Sequence, residues 1–208
     1  MYKLLGRQTS GNVQKVLFML EEMGAAYHRE DYGRQFENTT TPEYRALNPT
    51  SKVPTLIDGD VAIWESNTIL RYLAAVGAPG LTGATPAERT LVERWMDFLL
   101  AAINPGYLAA FKGVKLAPEE RSPDYDSQIK DLVAQCAIID GHLAGKSFLA
   151  LDRLTIADIA AAPILKRCLD FRIDRPALPN LERWAGAIAG RPAFLAATGA
   201  APGTVKAV

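Results

Sequence analysis

The chain has 208 residues, enough for one large domain or two small ones with a sizeable core. Hydrophobic residues make up 49% and charged residues 22%, a globular balance that excludes the disordered and fibrous classes. Lys plus Arg and Asp plus Glu number 23 each, so no net field draws the chain towards nucleic acid or an acidic membrane surface.

Residues 1–6 hold no apolar run of signal-peptide length, and no stretch approaches the ~18 apolar residues of a membrane span. A cytoplasmic protein is therefore expected. Residues 2–5 read as a short strand. Val13, Val16, Leu17, Leu20 and Met23 then recur at helical spacing, with Gly24 as the stop. Residues 27–31 read as a second strand, and 42–47 as a short helix with Pro42 in its first turn. Two apolar runs, 53–57 and 61–64, flank Asp58-Gly59-Asp60 and predict a β-hairpin. A helix over 66–76 completes the order β-α-β-α-β-β-α, an α/β domain over residues 1–76.

Residues 77–86 contain three Gly and two Pro and read as a linker. Residues 87–208 read as an all-helical domain. Its first helix, 87–111, carries Leu91, Trp95, Phe98 and Leu99 at helical spacing, and Pro105-Gly106 predicts a kink in it. Further helices are expected over 125–143 and 155–169. Shorter pieces end at Gly190-Arg191-Pro192, and a loose tail follows from Gly199. Cys136 and Cys168 lie far apart in the chain and read as reduced, buried thiols. His28 and His142 have no neighbouring ligand set, so no metal is expected.

Three turns carry candidate chemistry. Thr9-Ser10-Gly11-Asn12 joins the first strand to the first helix, where bare N–H groups and the helix dipole favour an anion. A hydroxyl there either caps the helix or donates to a thiolate, lowering that thiol's pKa. In Asn48-Pro49-Thr50-Ser51-Lys52-Val53-Pro54, a cis Val53-Pro54 bond would turn the Val53 N–H and C=O outward to pair with an extended peptide. Lys52 beside it offers a cation for a carboxylate. In Trp64-Glu65-Ser66-Asn67, Glu65 can receive an ammonium, while Ser66 and the helix terminus can hold a carboxylate or simply form a cap. Further on, Leu154-Thr155-Ile156-Ala157-Asp158-Ile159 forms an N-terminal capping motif of structural character.

Taken in order and spacing, Ser10 before its helix, Asn48-Pro49 with Lys52-Val53-Pro54-Thr55-Leu56, and Trp64-Glu65-Ser66-Asn67 with Ile69-Leu70-Arg71-Tyr72-Leu73 resemble the cytosolic glutathione transferases. The resemblance covers nearly the whole chain and is nearest the bacterial serine-type, theta- or nu-like members. It implies a thioredoxin-like N-terminal domain followed by a C-terminal helical bundle, with glutathione as co-substrate. It further implies that Ser10 hydrogen-bonds the glutathione sulfur and that Val53 pairs through its backbone with the cysteinyl part beside cis Pro54. Glu65 and Ser66 would hold the γ-glutamyl end, and Lys52 the glycine carboxylate. Thr9 and Asn12 remain alternative partners of the sulfur.

Tyr107 and Phe111 lie where the family builds its hydrophobic substrate wall, although core packing would use the same residues. The absence of Cys from the first turn points away from the thiol-exchange members. The resemblance implies a homodimer that conjugates glutathione to a small hydrophobic electrophile. Dehalogenation, isomerisation and peroxide reduction use the same thiolate. A non-catalytic binding or structural protein uses the same fold.

Overall fold

The computed structural model describes residues 1–199; the loose tail expected from Gly199 lies, from residue 200 on, outside the described residues. The chain divides into two compact units: Met1–Thr82 together with the segment from Gly190, and Gly83–Ala189.

The first unit is built from β1 (Tyr2–Leu5), α1 (Gly11–Glu22), β2 (Tyr27–Glu30), α2 (Pro42–Leu47), β3 (Thr55–Asp58), β4 (Val61–Trp64) and α3 (Ser66–Gly77). These elements follow the order expected for the thioredoxin-like domain. The sheet runs β2-β1-β3-β4, with β1 parallel to β2 and antiparallel to β3. The β3–β4 hairpin registers Thr55 with Trp64 and Asp58 with Val61 across a turn in which Gly59 takes φ +58. Glycine adopts that left-handed conformation without the Cβ clash. Pro42 opens α2 directly after Thr41, whose hydroxyl accepts from the Tyr44 N–H at 3.3 Å, an ordinary side-chain cap.

Helix α1 is buried on nearly every side. Every residue from Val13 to Leu20 is buried, including Phe18 and Met19 beyond the expected stripe. A helix of that kind needs cover on more than one side. It receives it from α3 and from the last helix, α9 (Pro192–Thr198). Phe18 and Phe194 meet edge to face at 5.4 Å. Arg191 holds Glu22 through two bonds of 2.6 and 2.9 Å, and Gln8 donates to the Ala196 carbonyl at 3.3 Å. Chain order groups α9 with the preceding helices, but its packing puts it on the first unit.

The second unit is helical: α4 (Pro86–Phe98), α5 (Asn104–Gly113), α6 (Tyr125–His142), α7 (Ile156–Asp170) and α8 (Pro179–Ala189). The irregularity expected at Pro105-Gly106 falls one turn earlier. Leu99–Ile103 forms a π-helical turn in which the Asn104 N–H bonds the Leu99 carbonyl. Pro105 has no N–H, and its ring crowds the carbonyl one turn back, so the extra residue is absorbed just before it. Gly106 permits a close crossing of α5 on α6, since a Cβ there would lie 2.6 Å from Leu132 Cβ.

Helix α7 is the core of this unit, buried from Ile156 to Leu165. At its start Asp158 is fully buried and accepts four hydrogen bonds. The donors are the Leu149 N–H at 2.8 Å, the Thr155 N–H at 3.0 Å, the Thr155 hydroxyl at 3.1 Å and the Trp184 indole at 3.1 Å. The capping motif read from the sequence is thus also a tie to α8. Cys136 on α6 and Cys168 on α7, distant in sequence, are both buried free thiols close enough to act on one another's ionisation.

Among the described residues, no helix is long and apolar enough to cross a membrane.

Candidate functional site

A cleft of about 280 Å³ opens in the first unit, lined by Asn12, Asn48, Thr50, Lys52, Val53, Pro54, Glu65 and Ser66. Three segments meet there: the first turn of α1, the loop before β3, and the β4–α3 turn. Of the residues singled out in the sequence, Asn12, Lys52, Val53, Pro54, Glu65 and Ser66 therefore come together in one place.

Ser10 is the N-cap residue of α1, two positions before Asn12, and is 9% exposed. Its conformation is extended, as an N-cap requires, yet its hydroxyl makes no bond to the first turn. The capping role that a serine at this position invites is thus not taken up, in contrast to Thr41 on α2. Thr9 is exposed on the preceding turn.

At α3 the cap position falls to Glu65 rather than Ser66, which is the first helical residue. Glu65 adopts φ +66, a left-handed conformation that costs a non-glycine residue energy and turns the chain sharply out of β4. No side chain caps this terminus either. Ser66, 4% exposed, reaches Asn12 Oδ1 at 3.4 Å, linking the two helix starts. Two helix N-termini with uncapped first-turn N–H groups therefore flank one cleft, an arrangement suited to anionic groups.

The Val53-Pro54 bond is cis, and neither the N–H nor the C=O of Val53 finds a hydrogen-bond partner among the described residues. A strand-like ligand can pair with both. The sequence quoted Asn48 as part of a motif without giving it a task; the structure shows the task. Asn48 is buried and spends its whole amide on the loop. Its Nδ2 donates to the Lys52 carbonyl at 2.8 Å and to Thr55 Oγ1 at 3.0 Å. Its Oδ1 accepts from the Thr50 N–H at 3.0 Å and the Thr50 hydroxyl at 2.7 Å. Tyr44 donates to the same Lys52 carbonyl at 2.6 Å, and burial pushes its phenol above the usual range. Both hold the Lys52-Val53-Pro54 segment in place, leaving the Lys52 side chain exposed.

Sequence periodicity gave no sign of Lys15. It lies one turn after Asn12 on α1, and only 1% of it is exposed. Burial pushes its ammonium down to about 8, and the Glu65 carboxylate partly restores it.

Tyr107 and Phe111 sit on α5 of the second unit, their rings 6.0 Å apart. Tyr107 also lies 5.9 Å from Phe171, and its hydroxyl accepts from Arg167 Nη1 at 3.2 Å. Tyr107 is buried and Phe111 half-buried. No group of three or more metal-ligating side chains occurs among the described residues.

The chain matches the family model for the glutathione S-transferase N-terminal domain over residues 9–76 and that for the C-terminal domain over residues 93–192. It is 36% identical to glutathione S-transferase GstB of Escherichia coli, over 93% of this chain and 95% of that one. It is 31% identical to glutathione S-transferase 4 of Zea mays, over 92% and 89%. Among solved structures, a theta class glutathione S-transferase of Xanthomonas axonopodis pv. citri, with glutathione bound, superposes with a TM-score of 0.87. That protein is 38% identical, over 93% of this chain and 95% of the other.

Proposed function

This chain belongs to the glutathione S-transferase family, and from that premise we propose that it binds glutathione in the cleft of the first unit and transfers it to a hydrophobic electrophile. The thiol loses its proton to solvent, the thiolate attacks the electrophilic carbon, and a carbon–sulfur bond replaces the bond to the leaving group. Ser10 donates its hydroxyl to the sulfur and stabilises the thiolate; it attacks nothing itself. Val53 pairs with the cysteinyl N–H and C=O beside cis Pro54. Lys52 meets the glycine carboxylate. Glu65 takes the γ-glutamyl ammonium, and Ser66 with the first N–H groups of α3 takes the γ-glutamyl carboxylate. Asn12, bonded to Ser66, stands close enough to the α1 terminus to be the second candidate for the sulfur. Tyr107 and Phe111 supply apolar surface for the second substrate. The working form is a cytoplasmic homodimer.

One observation carries this reading: Ser10 stands at the start of α1 with its hydroxyl making no cap bond, two residues before Asn12, which lines a cleft whose walls match the charges and backbone of a tripeptide. Retention on immobilised glutathione, combined with turnover of a panel of aryl halides, epoxides and activated alkenes, tests it. Retention without turnover of any of these would favour a non-catalytic glutathione-binding protein. Failure to be retained, with no turnover, would remove the reading altogether.

A further inference from the structure

The Lys52 carbonyl belongs to the same peptide unit as the Val53 N–H. Two buried side chains donate to it, Tyr44 at 2.6 Å and Asn48 at 2.8 Å, and together they occupy both of its lone pairs. Thr55 Oγ1 lies 2.9 Å from Tyr44 Oη and 3.0 Å from Asn48 Nδ2. These contacts fix the protons. A carbonyl only accepts, so the single Tyr44 hydroxyl proton goes to Lys52, and Thr55 donates to Tyr44. Asn48 gives its two amide protons to Lys52 and Thr55. Its Oδ1 faces the Thr50 N–H and hydroxyl at 3.0 and 2.7 Å, which excludes the flipped amide. Thr55 is fully buried and pairs with Leu5 of β1 and Trp64 of β4, so the network is anchored in the middle of the sheet.

In a planar trans peptide the C=O and N–H point in opposite directions, and the Lys52–Val53 bond is trans. Its carbonyl is turned into the buried network, so the Val53 N–H is turned away from it, where it meets no partner among the described residues. Val53 lines the cleft, whereas Tyr44 and Thr55 do not. We propose that Tyr44 is a positioning residue for glutathione: by donating to the Lys52 carbonyl from outside the cleft, it aims the Val53 N–H at the cysteinyl carbonyl of the ligand. Tyr44 touches no substrate and acts only through this peptide unit. The inference rests on the glutathione-site reading above and deepens it.

The arrangement acts on binding in two ways. The direction of the N–H is set before the ligand arrives, so binding does not have to order it. Each donor on the carbonyl also polarises the peptide unit and makes its N–H a better donor. Asn48 shares both effects, but its amide braces Thr50 as well. Tyr44→Phe is the cleaner perturbation: it removes one donor and keeps the ring, which stacks on Tyr32 at 5.1 Å.

The test uses the intact protein and two ligands without a free thiol. One is S-methylglutathione; the other carries glycolate in place of its glycine, so that the cysteinyl carbonyl becomes an ester and a weaker acceptor. By calorimetry, the wild type is expected to bind the ester about three- to tenfold more weakly than the amide. Tyr44→Phe should bind S-methylglutathione about three- to tenfold more weakly than the wild type does, and its preference for the amide over the ester should fall to about twofold or less. Thr55→Val disturbs the same buried network without taking a donor from Lys52. It should lower stability yet distinguish the two ligands as the wild type does. In the wild type, residual dipolar couplings should give the Val53 N–H the same direction relative to the sheet amides with and without S-methylglutathione.

Equal discrimination by the wild type and Tyr44→Phe, or its loss in Thr55→Val as well, would overturn the proposal while leaving the site reading intact. So would a Val53 N–H that turns on binding, a measurement that requires no variant to fold. An ester bound by the wild type as tightly as the amide would overturn the site reading itself, since Val53 would then meet no cysteinyl carbonyl.

Discussion

Replacing Ser10 with Ala separates two roles that are usually entangled at a helix start. A serine that caps a helix contributes about 1 kcal/mol to stability, and its loss lowers the denaturation midpoint. Ser10 makes no capping bond, so Ser10→Ala is expected to change folding stability by much less than that. The effect should appear on the bound thiol instead. A hydroxyl donating to a thiolate is a charge-assisted bond worth ~1.5–3 kcal/mol. At ~1.4 kcal/mol per pKa unit, its loss raises the pKa of bound glutathione by about one to two units. The sign follows: below the wild-type value the thiolate fraction, and with it the conjugation rate, falls about ten- to hundredfold, and the two proteins converge at high pH. Ultraviolet titration of the thiolate in the binary complex reads the shift directly, and urea denaturation reads the stability. The reasoning is refuted if the titration midpoint stays put while stability drops by a cap's worth. A midpoint that moves in Asn12→Ala but not in Ser10→Ala transfers the role to Asn12.

Four further outcomes are expected. Ser66→Ala should raise KM for glutathione with a smaller change in kcat, since Ser66 faces the non-reacting end of the tripeptide; steady-state kinetics decide, and a collapsed kcat at unchanged KM would contradict the assignment. Asp158→Ala strands four buried donors and should cost ~3–5 kcal/mol in urea denaturation. Lys15→Met should stabilise the fold at neutral pH. The buried amine falls from 10.5 to about 8, so the unfolded chain holds more protons between these values and wild-type stability rises with pH there. The gain from Met, on the order of 3 kcal/mol, should shrink across that same range, as thermal melts at several pH values would show. Sedimentation equilibrium should find a homodimer at micromolar concentration, and a persistent 22.6 kDa monomer would exclude it.

Local signals made much of this molecule legible before its structure. The β3–β4 hairpin is encoded by Asp58-Gly59 between two apolar runs, α2 by Pro42 behind Thr41, and the start of α7 by Thr155 three residues before Asp158. In each case the residues that interact are within a turn of one another, so chain order alone brings them together. The turns at Ser10, Lys52-Val53-Pro54 and Glu65-Ser66 were recognisable for the same reason, each as a short motif.

What only the tertiary structure decided is which of their groups are left over for a ligand. A serine before a helix reads as a cap, and nothing in the neighbouring residues says that the Ser10 hydroxyl makes no cap bond or that the Ser66 hydroxyl turns to Asn12. Asn48 bracing Lys52, Lys15 buried one turn from Asn12, Cys136 near Cys168, and α9 lying on α1 all depend on packing between segments remote in sequence. Burial and charge pairing are properties of that packing. A local pattern can therefore name the residues of the cleft, but only the fold shows how firmly each is held and which charges it feels.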